Sequence, residues 1–265
     1  MDIRGDGTRQ LLCHWEGRWG WIEPDPSAPT EPWTFFPVGQ NEDWPQFYHG
    51  EGVGDVNGDG RQDLVINDGW YQHPAPGDRT ASDIQSDWQF HRGKFSQQRG
   101  GAQMYVDDVD GDGDQDVLSA VDAHGWGLAW YEQRITDAGS RFRERLIMGD
   151  RTLEPSLGVA FTQPHALDLA DIDGDGLNDI VTGKRRWAHG PSGDIEPSAA
   201  PVVYWFQLQR GDDGEPRYIP HLIDDHSGVG VQILAEDINH DGRIDVLTAS
   251  KLGTFVFINR AVDGS

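Results

Sequence analysis

The sequence has one cysteine and no long apolar run. Cys13 alone cannot form an internal disulfide framework, and we expect a buried structural thiol there rather than a catalytic one. No segment approaches the roughly 18 consecutive apolar residues that cross a bilayer, and residues 1–6 lack the apolar core of a signal peptide. These absences exclude a transmembrane helix and an internal disulfide framework, and we expect a soluble chain.

Basic residues are scarce as well. The chain has 21 Lys and Arg against 45 Asp and Glu, which gives a formal net charge of −24. Such a charge repels nucleic acid phosphates, so we expect no nucleic acid partner. The acidic residues fall in clusters of fixed internal spacing instead of an acidic tail, which favours cation binding.

Glycine and tryptophan are abundant. With 34 glycines, 15 prolines and 11 tryptophans in 265 residues, the composition is typical of many short strands joined by tight turns around aromatic cores. The composition therefore predicts an all-β protein.

An internal repeat organises the chain. Five copies begin near residues 2, 55, 108, 171 and 237, about 53 to 66 residues apart, which is enough for one four-stranded propeller blade with variable outer loops. Aromatic segments recur in each unit where a third strand is expected, as in Trp70-Tyr71 and Trp130-Tyr131, and we expect them to pack between blades. The repeat predicts a single β-propeller domain over residues 1–265 with about five four-stranded blades.

Each intact copy begins with an acidic loop of nine residues. Oxygen side chains stand at positions 1, 3, 5 and 9, glycine stands at position 6, and position 7 offers a backbone carbonyl, a pattern that suits calcium. Position 12 lacks the glutamate of an EF-hand, which favours a loop between two strands. The alternative is a set of Asp/Gly turns that bind no metal. The predicted calcium ligands are Asp55, Asn57, Asp59, Arg61, Asp63, Asp108, Asp110, Asp112, Asp114, Asp116, Asp171, Asp173, Asp175, Leu177, Asp179, Asp237, Asn239, Asp241, Arg243 and Asp245.

The first copy of the loop is degenerate. Arg4 stands where the other copies have Asp or Asn, and its positive charge would oppose a bound cation. We therefore expect about four structural calcium ions, one in each of the other loops.

Several segments carry a family resemblance, among them His49–Gly60, Gly101–Tyr105, Ala123–Gln133, Gly183–Gly190 and Pro220–Gly230. The chain resembles FG-GAP/VCBS-type repeat proteins and, more distantly, the propeller domains of the aldos-2-ulose dehydratase type. The resemblance implies a calcium-binding propeller outside the cytoplasm. Such relatives are seven-repeat rings, so this chain is expected either to be an incomplete member with open blade edges that could self-associate or to close as a five-blade ring, which we favour.

Polar residues recur at one height just before the acidic loops. His49 and His165 stand six residues before their loops, and Gln103 and Gln232 stand five residues before theirs. On the innermost strand of each blade, these positions would face a central channel. We interpret the four residues as ligand-binding; the alternative is that the histidines only hydrogen-bond the backbone.

Further polar groups follow the second strands in glycine-rich segments. Arg186 and Trp187 are predicted to bind a ligand with the channel residues. If the protein is an enzyme, a second, transition metal could lie in the channel while a lysine or histidine moves a proton. The candidate catalytic residues are His49, His165, His124, Lys184 and His189.

Two function classes stay open. The first is a calcium-stabilised, extracellular or periplasmic interaction module that binds carbohydrate or another small ligand at its channel mouth, without membrane insertion. The second is a metal-dependent sugar lyase or dehydratase with its active site in the channel, a reaction suggested by the family resemblance alone.

Overall fold

The computed structural model describes residues 7–39, 43–45, 48–75, 88–97, 100–136, 139–211 and 214–260. Within these ranges the chain forms five antiparallel sheets and one helical turn. No helix in them is long and apolar enough to span a membrane. The protein is an all-β propeller of five blades, as the repeat predicted. The degenerate loop copy around Arg4 lies mostly outside the described residues.

The strands follow one another in chain order within every blade. Blade 1 contains β1 (Leu11–Trp15), β2 (Arg18–Glu23) and β3 (Thr34–Pro37). Blade 2 contains β4 (Glu51–Gly54), β5 (Asp63–Ile66), β6 (Gly69–Gln72) and β7 (Gln89–Arg92). Blade 3 contains β8 (Tyr105–Asp107), β9 (Asp116–Ala120), β10 (Leu128–Thr136) and β11 (Gly139–Met148), and α1 (Glu154–Leu157) follows it. Blade 4 contains β12 (Leu167–Ala170), β13 (Asp179–Gly183), β14 (Val203–Arg210) and β15 (Pro216–Asp224). Blade 5 contains β16 (Ile233–Glu236), β17 (Asp245–Ser250) and β18 (Gly253–Phe257).

Each acidic loop joins the first and second strands of a blade. The loops lie between β4 and β5, β8 and β9, β12 and β13, and β16 and β17, so the strand-loop-strand prediction is confirmed. Blades 2, 3 and 4 have four strands, whereas the described parts of blades 1 and 5 have three each. Among the described residues, the first strand of blade 1 corresponds to the second strand of the other blades, and the last strand of blade 5 corresponds to their third.

The ninth residue of each loop fixes the loop to its own blade. Asp63 is fully buried, and its carboxylate accepts the backbone N–H of Val56 at 3.0 Å and that of His73, just after the third strand, at 2.8 Å. Asp116, Asp179 and Asp245 accept the equivalent pairs of amides. These bonds satisfy two buried donors in each blade, so this aspartate has a structural role whether or not a cation is bound.

The core lies between neighbouring blades. Trp70 of blade 2 packs in one buried cluster with Met104 and Tyr131 of blade 3, and Trp130 of blade 3 packs with Phe206 of blade 4. All five side chains are at most 5% exposed. The prediction that the third-strand aromatics pack between blades is confirmed.

The fourth strands also contribute aromatic rings to these interfaces. Phe90 of β7, Phe142 of β11 and Tyr218 of β15 each pack against the cluster shared with the preceding blade. The cluster shared by blades 4 and 5 has no such ring among the described residues. A cavity of about 420 Å³, lined in part by Trp205 and Phe257, lies there.

Candidate functional site in the central cavity

A cavity of about 400 Å³ lies where the innermost strands meet. His49 and Glu51 of blade 2, Gln103 and Tyr105 of blade 3, His165 of blade 4 and Gln232 of blade 5 all line it, together with Leu12 of blade 1. The four polar residues that the repeat placed at one height are therefore brought together from four blades. Blades 1 and 5 both contribute to the wall of this cavity.

The innermost strands hold these side chains in place through contacts between blades. The Tyr105 hydroxyl donates to Asp168 Oδ1 at 2.8 Å, and the backbone N–H of Ala235 donates to Asp168 Oδ2 at 2.8 Å. One carboxylate thus links the first strands of blades 3, 4 and 5. Because strands carry their side chains alternately on two faces, a fixed inner strand also fixes which residues face the cavity.

Glu51 and Tyr105 line the cavity, and neither was predicted. Burial raises the pKa of the Glu51 carboxyl, and its Oε2 has no hydrogen-bond partner among the described residues. A signal for Glu51 was present in the sequence, since it follows His49 by two residues on the predicted innermost strand, and alternate residues of a strand share a face. Tyr105 follows Gln103 in the same way.

Three histidines from three blades converge beside this cavity, and two of them, His49 and His165, line it. Nε2 of His49 lies 3.0 Å from Nε2 of His124, and the His165 ring lies 4.9 Å, centroid to centroid, from each of the other two. One nitrogen from each residue lies within 4.8 Å of the other two nitrogens. The sequence named all three residues, but only the fold shows that they meet.

The hydrogen bonds of this cluster define which nitrogens are available. Nδ1 of His49 lies 2.8 Å from the Gly101 carbonyl oxygen, which can only accept, so Nδ1 carries the proton and Nε2 presents its lone pair. Burial, with His49, Arg185 and His124 nearby, lowers the pKa of His165 to about 3. His165 Nδ1 is buried without a hydrogen-bond partner among the described residues. The His165 imidazole is therefore neutral at ordinary pH.

Residues 184–197 pass beside the histidine cluster. The His189 ring lies 4.8 Å from the His124 ring, and its Nδ1 donates to Asp194 at 3.0 Å. Although burial opposes it, hydrogen bonds from the backbone and side chain of His189 lower the pKa of Asp194. This carboxylate therefore stays ionised and orients the exposed His189 ring.

The remaining predicted residues of this segment have other environments. Lys184 is fully buried, its Nζ donates to Thr162 Oγ1 at 2.6 Å, and burial lowers its pKa to about 8. Arg186 stacks on Trp187 with its guanidinium carbon 4.8 Å from the ring centroid. None of these three side chains lines the central cavity.

The acidic loops are of two kinds. In the second and third intact loops, Asp108, Asp110 and Asp112, and likewise Asp171, Asp173 and Asp179, bring carboxylate oxygens within 4.8 Å of one another. In the first and fourth intact loops position 3 is an asparagine, and the arginine at position 7 forms an ion pair with the aspartate at position 5. The Arg243–Asp241 pair spans 2.8 Å.

Ordered repeats, acidic strand-to-strand loops and five radial sheets define the class of this protein as a β-propeller. Residues 108–182, which span the second and third intact acidic loops, match the family model of the FG-GAP-like repeat. No curated protein matches the chain significantly. The resemblance to VCBS repeats and the more distant one to propellers of the aldos-2-ulose dehydratase type stay predictions.

Proposed function

We propose that this protein is an interaction module that binds a carbohydrate or a similar polyhydroxylated small ligand in its central cavity. One observation carries the proposal: polar side chains from blades 2 to 5 line a single cavity of about 400 Å³. Small-molecule sites have this size, with apolar walls and a few convergent polar groups.

The lining matches the chemistry of hydroxyl groups. The amides of Gln103 and Gln232 offer both donors and acceptors, and the imidazole rings of His49 and His165 add further polar groups to the lining. Leu12 and Val231 supply apolar surface for the carbon face of a ring. A nucleic acid ligand is disfavoured by the net charge of −24.

The experiment is titration calorimetry of the calcium-equilibrated protein with a panel of neutral and acidic oligosaccharides. We expect saturable binding that weakens about tenfold or more in Gln103→Ala with Gln232→Ala, because buried ligand hydroxyls lose their partners. Gln209→Ala, at an exposed outer-strand position, is the matched control. Equal affinities in the double variant and the control would place the ligand elsewhere.

A lyase or dehydratase is the second candidate. It is favoured by Glu51, which shares the cavity with two imidazoles and whose Oε2 has no hydrogen-bond partner among the described residues, because elimination needs one group to remove a proton and another to protonate the leaving oxygen. The same oligosaccharides, followed by ultraviolet absorbance for a new carbon-carbon double bond, test it. Turnover that disappears in His165→Ala would favour the lyase, and binding without turnover favours the module.

We further propose that the four intact acidic loops hold structural calcium and that the protein works outside the cytoplasm. The calcium proposal is supported by the loop geometry. The backbone N–H groups of Asp59 and Gly60 donate to Asp55, and equivalent bonds shape the third and fourth intact loops. Extracellular calcium concentrations suit modules that bind the ion weakly.

A further inference from the structure

We propose that His49, His124 and His165 form a binding site for one divalent transition metal ion, zinc being the model case, distinct from the calcium loops. This inference does not depend on the nature of the cavity ligand. Its basis is the convergence of three imidazoles, one each from blades 2, 3 and 4, with ligand nitrogens within 4.8 Å of one another.

The spacing of the nitrogens suits a common ion. Two nitrogens bound to zinc at about 2.0–2.1 Å in tetrahedral geometry lie roughly 3.3 Å apart. Nε2 of His49 and Nε2 of His124 are 3.0 Å apart, so a small opening of the cluster admits the ion. Three-histidine sites leave a fourth position open, and since His49 and His165 line the central cavity, that position would face it.

Hydrogen bonding around the cluster also fits metal ligation. Ligating histidines characteristically donate their other ring nitrogen to a carbonyl or carboxylate, which orients the ring. His49 does so through Nδ1 to the Gly101 carbonyl at 2.8 Å. A second, independent observation is that the buried Nδ1 of His165 has no hydrogen-bond partner among the described residues, so this ring has an unused nitrogen.

The imidazole nitrogens of the cluster favour a different ion from the one that the oxygen ligands of the acidic loops favour. Imidazole nitrogen favours zinc, copper, nickel and iron, whereas calcium takes carboxylate and carbonyl oxygens. No carboxylate belongs to the three-histidine group. A protein equilibrated with both kinds of ion should therefore separate them, with calcium in the loops and a transition metal at the histidines.

The experiment uses the full chain, stripped of metal and then saturated with calcium. A titration with Co²⁺, monitored by calorimetry and by the visible absorption of the bound ion, should give one site with the spectrum of nitrogen ligands. Zn²⁺ should displace the cobalt from this site. His124→Ala should weaken this site by more than the roughly 10- to 100-fold that loss of an outer hydrogen-bonding partner costs. Gln103→Ala with Gln232→Ala changes cavity amides that lie outside the three-histidine group, so this double variant should bind cobalt as the wild type does and the two proposals can fail separately.

The matched control is His226→Ala, which removes an exposed histidine from the surface group Asp224, Asp225 and His226 and should leave cobalt binding unchanged. His165→Gln provides a second site variant, and an unchanged calcium stoichiometry would show that each variant is folded. No cobalt bound beyond the calcium loops, or equal binding in His124→Ala, His165→Gln and the wild type, would overturn the proposal.

Discussion

At the residue scale, Lys184 combines full burial with an ammonium group that donates to a neutral hydroxyl. Its side chain is fully buried, and the one acceptor shown for its ammonium is the Thr162 hydroxyl. Burial lowers its pKa from 10.5 to about 8, which corresponds to about 3 kcal/mol between the two protonation states. Burial of this cation at neutral pH therefore lowers the stability of the folded state.

We predict that Lys184→Met changes how stability depends on pH. Between pH 8 and 10.5 the unfolded wild type binds more protons at this residue than the folded form, so wild-type stability rises with pH in that window. Methionine does not titrate, so the stability of the variant lacks this rise. The free energy of unfolding of Lys184→Met, relative to that of the wild type, should therefore fall by up to about 3 kcal/mol from pH 8 to 10.5.

Urea unfolding at several pH values measures this difference. Lys94→Met, at an exposed position, is the control and should parallel the wild type. If Lys184→Met also parallels the wild type, the lysine keeps its ordinary pKa in the fold.

At the same scale, sequence reasoning succeeded where a repeat fixed the position of a residue. His49, Gln103, His165 and Gln232 were found because register relative to the acidic loop determines height in the channel, and the structure brings them to one cavity. His124 and His189 were placed only in loops after the second strands, since the path of a loop depends on packing that no periodicity encodes. Glu51 was missed because its significance comes from burial and from the absence of a hydrogen-bond partner.

At the element scale, the four intact acidic loops should not bind calcium equally. Arg61 in the first and Arg243 in the fourth direct their guanidinium groups at the aspartate of position 5, whereas the second and third intact loops carry an additional carboxylate at position 3. Calcium affinity increases with ligand charge. The loops of blades 3 and 4 should therefore fill first.

We predict that Arg61→Gln strengthens calcium binding in the loop of blade 2. Removing a positive charge beside an exposed cation site is worth about 1 kcal/mol, and so calcium affinity there should rise about fivefold. Calcium titration calorimetry should resolve two classes of site in the wild type, with the weaker class tightened in the variant. Arg18→Gln, on β2 of blade 1, which has no intact acidic loop, provides the control. A single class of four equal sites would contradict this reading of the ion pairs.

Sequence predicted these elements unevenly. Alternation and the repeat predicted the second, third and fourth strands of blades 2 to 4, because the second strands are apolar runs and the third and fourth strands carry recurrent aromatic residues. The repeat could not reveal that Asp63 joins its own loop to the end of the third strand by accepting one backbone amide from each, since the partner at His73 lies ten residues along the chain.

At the scale of the whole molecule, charge and fold are coupled. The formal net charge is −24, and much of the acidic content lies in loops where carboxylates approach within 4.8 Å of one another. About four calcium ions would supply about eight positive charges at the points of closest repulsion. Each loop joins the first two strands of its blade, so an ion bound there stabilises the folded state without equivalent binding to the unfolded chain.

We therefore predict that calcium removal lowers the melting temperature. Two sites held at 100-fold excess over their dissociation constants contribute about 5 kcal/mol by mass action, which for a chain of this size corresponds to a shift of roughly 10 °C or more. Differential scanning calorimetry with a calcium-selective chelator, and again after calcium is restored in excess, measures the shift. Magnesium at the same concentration is the control, because its demand for octahedral geometry suits these loops poorly. A melting temperature unchanged by the chelator would mean that the loops are ordinary Asp/Gly turns, held by their own backbone hydrogen bonds, and that the propeller tolerates its charge without an ion.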